Sequence, residues 1–217
     1  MTPKYNPLRL SPFIVALICY LLPCASPAPA AHHDPQLDPY IEFLGHQTTS
    51  AKEYVLGMFK DHDLVILCER DHRDTTQYNL FLSVIRDEWF IKNVGIVFTE
   101  VGTSSLNPEL NAFLHSDNLP ADSVDRAILN FHRNCDWFLM WEKTNFSLFL
   151  HGVYAINRTL PPKDKLTLYP SDMPLDWSQM DSAKYAAFQG TLGGRDSVMA
   201  AEIIDQFEKL DKPDAGH

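Results

Sequence analysis

The sequence predicts an α/β fold, a mainly parallel sheet flanked by helices, and three observations carry that reading. Residues 64–67 are a short apolar run that ends abruptly in Cys68-Glu69-Arg70-Asp71-His72. Residues 94–98 are a second, β-branched run ending in Thr99-Glu100, and between the two Leu80, Phe81, Val84, Ile85 and Trp89 recur at helical spacing. Two uninterrupted apolar runs joined by one helix make a parallel βαβ unit, because an antiparallel hairpin would need only a tight turn. A third run, residues 165–169, ends at Pro170-Ser171-Asp172. In open α/β sheets ligands bind beyond the carboxyl ends of the strands, so the chemistry is expected where Glu69, His72, Glu100 and Asp172 lie.

The elements follow in order. Lys4 and Arg9 precede an apolar run at residues 13–22, and Ala28-Pro29-Ala30 resembles a cleavage site. Residues 1–30 therefore read as a secretory signal peptide, since the run falls short of the roughly 20 apolar residues a membrane span needs. That places the protein outside the cytoplasm, secreted or periplasmic, with no stable membrane span after cleavage. Lipid anchoring through Cys24 is the lesser reading because Pro23 fits that signal poorly. Residues 31–39 are a polar linker containing His32-His33-Asp34, and residues 40–59 are expected to be helical. Thr75 or Thr76 is placed to cap the crossover helix. Short helices are expected from Pro108 to Leu114 and from Pro120 to Phe131.

Residues 136–156 carry Trp137, Phe138, Trp141, Phe146, Phe149 and Tyr154, a stripe that reads as core rather than as a cofactor site. Helices are expected again over 177–188 and 196–210, and residues 211–217 form a tail. The sequons at Asn145 and Asn157 matter only if the host glycosylates. Cys68 and Cys135 remain after the leader; Cys68, at a strand end, reads as a small buried hydrophobe rather than half of a bridge.

At 217 residues the chain suits one domain with a substantial core. A net charge of −10 argues against nucleic acid as a partner, because a phosphate backbone requires a basic face. No G-x-S-x-G elbow, P-loop, H-E-x-x-H or dinucleotide fingerprint occurs. What remains is an imidazole among carboxylates. His72 is suited to general-base work with Glu69 and Glu100 beside it, and the same groups suit a divalent metal. Arg195 is suited to stabilising a developing oxyanion. The competing reading is that acids in βα loops merely cap helices.

At these residues the sequence resembles the erythromycin esterase family, within a wider grouping that also holds the ChaN-type haem-uptake proteins and the Tiki-type proteases. LVILCERDH resembles the family's strand followed by G-E-x-x-H, with Glu69 and His72 at the acid and the histidine. GIVFTEVG resembles its second strand, ending at Glu100, and LTLYPSDM its later strand, with Asp172 and Met173 at the turn. GRDSVMAAEII resembles its R-D-x-x-M-A helix through Arg195, Asp196, Met199 and Ala200. The match spans residues 40–210. It departs at Cys68 and Arg73, where the family carries glycines, and at His217, where the esterases continue into a further strand bearing histidines. A sheet incomplete on its C-terminal side is therefore expected.

The resemblance implies a hydrolase acting on ester bonds, for example a macrolide lactone. His72 would activate water, Glu69 and Glu100 would orient it, Arg195 would contact substrate or oxyanion, and Asp172 and Asp196 would bind substrate. The alternative is a non-catalytic protein on the same scaffold that binds a small ligand, haem or metal. No cofactor is required by the first reading, and a divalent metal is compatible with both.

Overall fold

A computed structural model describes residues 34–137, 142–175, 177 and 180–210. The expected leader, His32, His33, Phe138, Trp141 and the 211–217 tail lie outside them. The chain divides into two units, residues 1–48 and 49–217. In the first, Asp34 caps a 3-10 turn at Pro35–Leu37 that leads into α1 (Asp38–Gly45), where Tyr40, Ile41, Phe43 and Leu44 are exposed.

The second unit starts at α2 (Ala51–Met58), fixed by a capping box in which Ser50 and Glu53 exchange hydrogen bonds. The cap explains why the helix expected over residues 40–59 is two helices: Ser50 satisfies the first N–H groups of a new one. Next come α3 (Thr75–Ile85) and α4 (Glu88–Asn93), capped by Asp74 and Asp87 respectively, so Asp74 rather than either threonine starts the helix after the charged loop. Strand β1 (Ile96–Thr103) is followed by α5 (Asn107–Leu114), α6 (Ala121–Cys135) and α7 (Thr144–Asn157). Strand β2 (Thr167–Asp172), α8 (Ser182–Thr191) and α9 (Arg195–Leu210) complete the described chain.

Among the described residues the sheet has two strands, β1 and β2, paired in parallel with Ile96 opposite Thr167 and Phe98 opposite Tyr169. Both strands run further than the apolar runs suggested, so Glu100 and Asp172 lie within them, not past their ends. Mixed helix and parallel strand is thus what the chain forms, on a small sheet. The strand expected at residues 64–67 is absent from it. Residues 64–69 form no regular element, and among the described residues no backbone hydrogen bond joins them to β1. An apolar run becomes a strand only through a ladder, and here Ile66 is 78% exposed. Cys68 is exposed as well, contrary to its expected burial. Cys135 is buried, and burial pushes its thiol up to about 12. Both are free thiols.

The core sits between the helices and one side of the sheet. Phe146, Leu150 and Val153 of α7 share one buried cluster with Leu114 of α5 and Leu166 and Leu168 of the β2 segment, all essentially inaccessible. The described part of the aromatic stripe from Phe146 onward is therefore core. Neither sequon asparagine is at the surface: Asn145 and Asn157 are both buried and hydrogen-bonded within the fold.

At Gly102 β1 passes so close to its neighbours that a Cβ would stand 2.6 Å from Phe131 Cζ and 2.9 Å from Pro170 Cβ, at a φ of +99°. Overpacking costs about 1–3 kcal/mol and a disfavoured backbone region a similar amount, so Gly102→Ala is expected to destabilise by about 3 kcal/mol or more. Urea unfolding checks this against Gly190→Ala, where the added methyl meets nothing within 4 Å and the midpoint should hold or rise.

Candidate functional site

The loop from Glu69 to Asp74 carries the first half of the site, and its shape is held by hydrogen bonds from two helices. Gln77, in the first turn of α3, accepts from Arg70 N–H (3.0 Å) and donates to Asp71 O (2.6 Å) and to Glu69 Oε1 (3.1 Å). From α7, Asn145 Nδ2 donates to His72 O (2.8 Å), while its Oδ1 accepts from Thr75 Oγ1 (3.1 Å). Asp71 pairs with Arg73, whose hydrogen bonds hold its carboxyl down at about 2. The loop carbonyls and carboxylates are thus fixed before any ligand arrives.

Within this loop His72 Nδ1 lies 2.9 Å from Glu69 Oε2, an ion-pair distance when the imidazole is protonated. Tyr78 of α3 backs Glu69. Burial, and then the charge of Glu69 and a hydrogen bond to it, push the Tyr78 hydroxyl far above its ordinary value, so it remains a donor.

The second half comes from the sheet and α9. Arg195, the first residue of α9, donates through Nε to Asp172 Oδ1 (2.7 Å) and through Nη2 to Asp172 Oδ2 (3.1 Å) and Glu100 Oε1 (2.9 Å). Burial works against its charge, but the bonds to Asp172 and Glu100 outweigh it and hold the guanidinium above its ordinary value. Asp172 is 1% exposed and accepts further from Trp137 Nε1 (3.0 Å) and Met173 N–H (2.7 Å). The guanidinium carbon stands 5.7 Å from the centre of the Trp137 ring, a cation–π contact.

The halves meet at the carboxylates. One ligand atom each of Glu69, His72 and Glu100 lies within 4.8 Å of the others, a spacing that can hold a divalent cation through one nitrogen and two oxygens. Five of the six residues singled out in the sequence thus form one network. The sixth, Asp196, is exposed in the first turn of α9, a favourable place for a carboxylate at a helix N-terminus, and takes no part in it.

Gln77, Tyr78, Asn145 and Trp137 were not foreseen as site residues. A polar side chain in the first turn of the helix after the loop was the available signal for Gln77. Asn145 was masked by its sequon, and Trp137 by the aromatic run it opens. No protein-family model, curated protein or solved structure matches this chain.

Proposed function

We propose that the site is a hydrolytic centre in which His72 activates water against a small-molecule ester. The observation that carries this reading is the placement of the imidazole beside Glu69 on a loop braced by Gln77 and Asn145, with Glu100 and the Arg195 cation across from it. Glu69 at Nδ1 steadies the ring and stabilises the imidazolium formed when its other nitrogen takes a proton from water. The resulting hydroxide adds to the ester carbonyl carbon. The tetrahedral adduct collapses, the imidazolium returns the proton to the departing alkoxide, and acid and alcohol leave. Arg195 spends Nε and Nη2 on Asp172 and Glu100, so its part is to fix Glu100 and supply positive potential near the developing oxyanion.

A second reading, metal binding, is favoured by the three donors within 4.8 Å. One experiment separates them: turnover of a panel of p-nitrophenyl and lactone esters by the protein, with and without EDTA, beside His72→Ala. The loop is also held through the His72 carbonyl, which the substitution keeps. A loss of about a hundredfold or more in the variant, unaffected by EDTA, is expected for a general base. Equal loss with EDTA supports the metal, and undiminished turnover in His72→Ala sinks the hydrolytic reading.

A further inference from the structure

A cavity of about 790 Å³ is lined by residues 64–69 on one side and by β1 on another. Its two long walls are unusual in that every residue from Leu64 to Glu69 and every residue from Ile96 to Val101 lines it. A strand that showed the cavity one face would contribute alternate residues. Consecutive residues mean that β1 presents its edge, while residues 64–69 border the cavity along their whole length. The remaining walls are mainly apolar, with Val55, Val84 and Phe90 from α2–α4 and Met199, Ile203 and Phe207 from α9, beside His62, Asp63, Asn93 and Ser171.

The register of β1 says what its edge offers. Thr167 N–H donates to Gly95 O (2.9 Å), and Thr167 is the partner of Ile96. In a parallel ladder successive residues address alternate neighbours, so Gly95 and Val97 face β2. Ile96 and Phe98 turn their N–H and C=O groups to the opposite edge, toward the cavity. Residues 64–68 likewise have no backbone partner among the described residues.

We propose that this gap is a strand-binding site, filled by an extended, apolar, uncharged segment of another polypeptide that pairs with β1 on one side and residues 64–68 on the other. A strand residue in a layered sheet occupies roughly 160 Å³, from its rise, the strand spacing and the layer separation. The cavity therefore holds about five such residues, close to the six-residue length of each flanking stretch. A hydrocarbon ligand would fill the same space but would bury the N–H and C=O groups of both edges unpaired, a cost that strand addition removes. Pairing would also convert residues 64–67 into the strand that their composition predicts.

The test is amide hydrogen exchange on the protein with a synthetic peptide of about seven residues, valine and isoleucine alternating with threonine between terminal lysines. Exchange at Ile96, Phe98 and residues 64–68 is expected to slow at least tenfold. The same peptide N-methylated at alternate positions, which cannot complete a ladder, should have no effect. Protection by both peptides, or by laurate but neither peptide, overturns the proposal in favour of a simple apolar pocket. Amides already protected before any addition overturn it too, because the two edges are then already paired. No protection by any probe overturns it outright.

Discussion

Arg195→Ala should lower the unfolding free energy by about 4 kcal/mol, the range seen when one partner of a buried ion pair is removed. The reason lies in Asp172, at 1% exposure, which loses both guanidinium bonds and, among the described residues, keeps Trp137 Nε1 and Met173 N–H. A carboxylate so placed has no water to turn to. Glu100, the other partner, is exposed enough to be resolvated, so it adds little to the cost. Urea denaturation of three variants separates these contributions. Arg195→Ala/Asp172→Asn should recover much of the loss, since the uncompensated charge is gone. Arg195→Lys should fall between, because an ammonium cannot reproduce the fork that holds Asp172 and Glu100 together. A loss below about 1 kcal/mol in Arg195→Ala would mean that water reaches Asp172 and that the pair does not hold α9 to the sheet.

That pair also shows what was legible in the sequence. Acids at the ends of β-branched runs, a histidine three residues beyond one of them and an arginine opening the last helix were visible, and the fold brings Glu69, His72, Glu100, Asp172 and Arg195 into one network. Glu69, Glu100 and Asp172 follow closely on apolar runs and Arg195 opens a helix, and at such places the composition of the chain changes sharply. Asp196, adjacent in sequence to Arg195, falls outside the network because successive helical residues point about 100° apart. Residues 64–67 failed differently. Their apolar run was real, but strand formation is a property of a pair, and nothing in the run tells whether a partner lies alongside. Cys68 followed that error, since its expected burial depended on the strand. The bracing residues were the least legible. Gln77 and Asn145 act through hydrogen bonds to main-chain carbonyls six and seventy-three positions away, and such bonds leave no periodicity.

Asn157 is the most consequential of these hidden residues. It closes α7, is wholly inaccessible, and makes three bonds that set where β2 begins. Its Nδ2 donates to Leu166 O (2.9 Å) and Leu114 O (3.3 Å), and its Oδ1 accepts from Leu166 N–H (2.7 Å). The side chain thus replaces the ladder partner that Leu166 lacks and pins it to the end of α5. Asn157→Ala removes all three bonds; Leu166 O keeps His115 Nε2 (3.0 Å), but Leu166 N–H and Leu114 O lose their side-chain partner, each costing about 1–3 kcal/mol, so a loss of about 4 kcal/mol is expected in urea unfolding. Asn157→Asp sharpens the test. The carboxylate would still accept from Leu166 N–H but would face two carbonyl oxygens, so it should be at least as destabilised as the alanine variant at pH 7. Its folded-state pKa would lie above the unfolded value, because only the protonated form can donate. Stability contributed by that proton is present at acid pH and lost as pH rises through the folded pKa. The aspartate variant should therefore regain stability relative to wild type between pH 7 and pH 4, while the alanine variant keeps a constant deficit. Parallel behaviour of the two would show that cavity formation, not the polarity of the two carbonyls, sets the cost at this position.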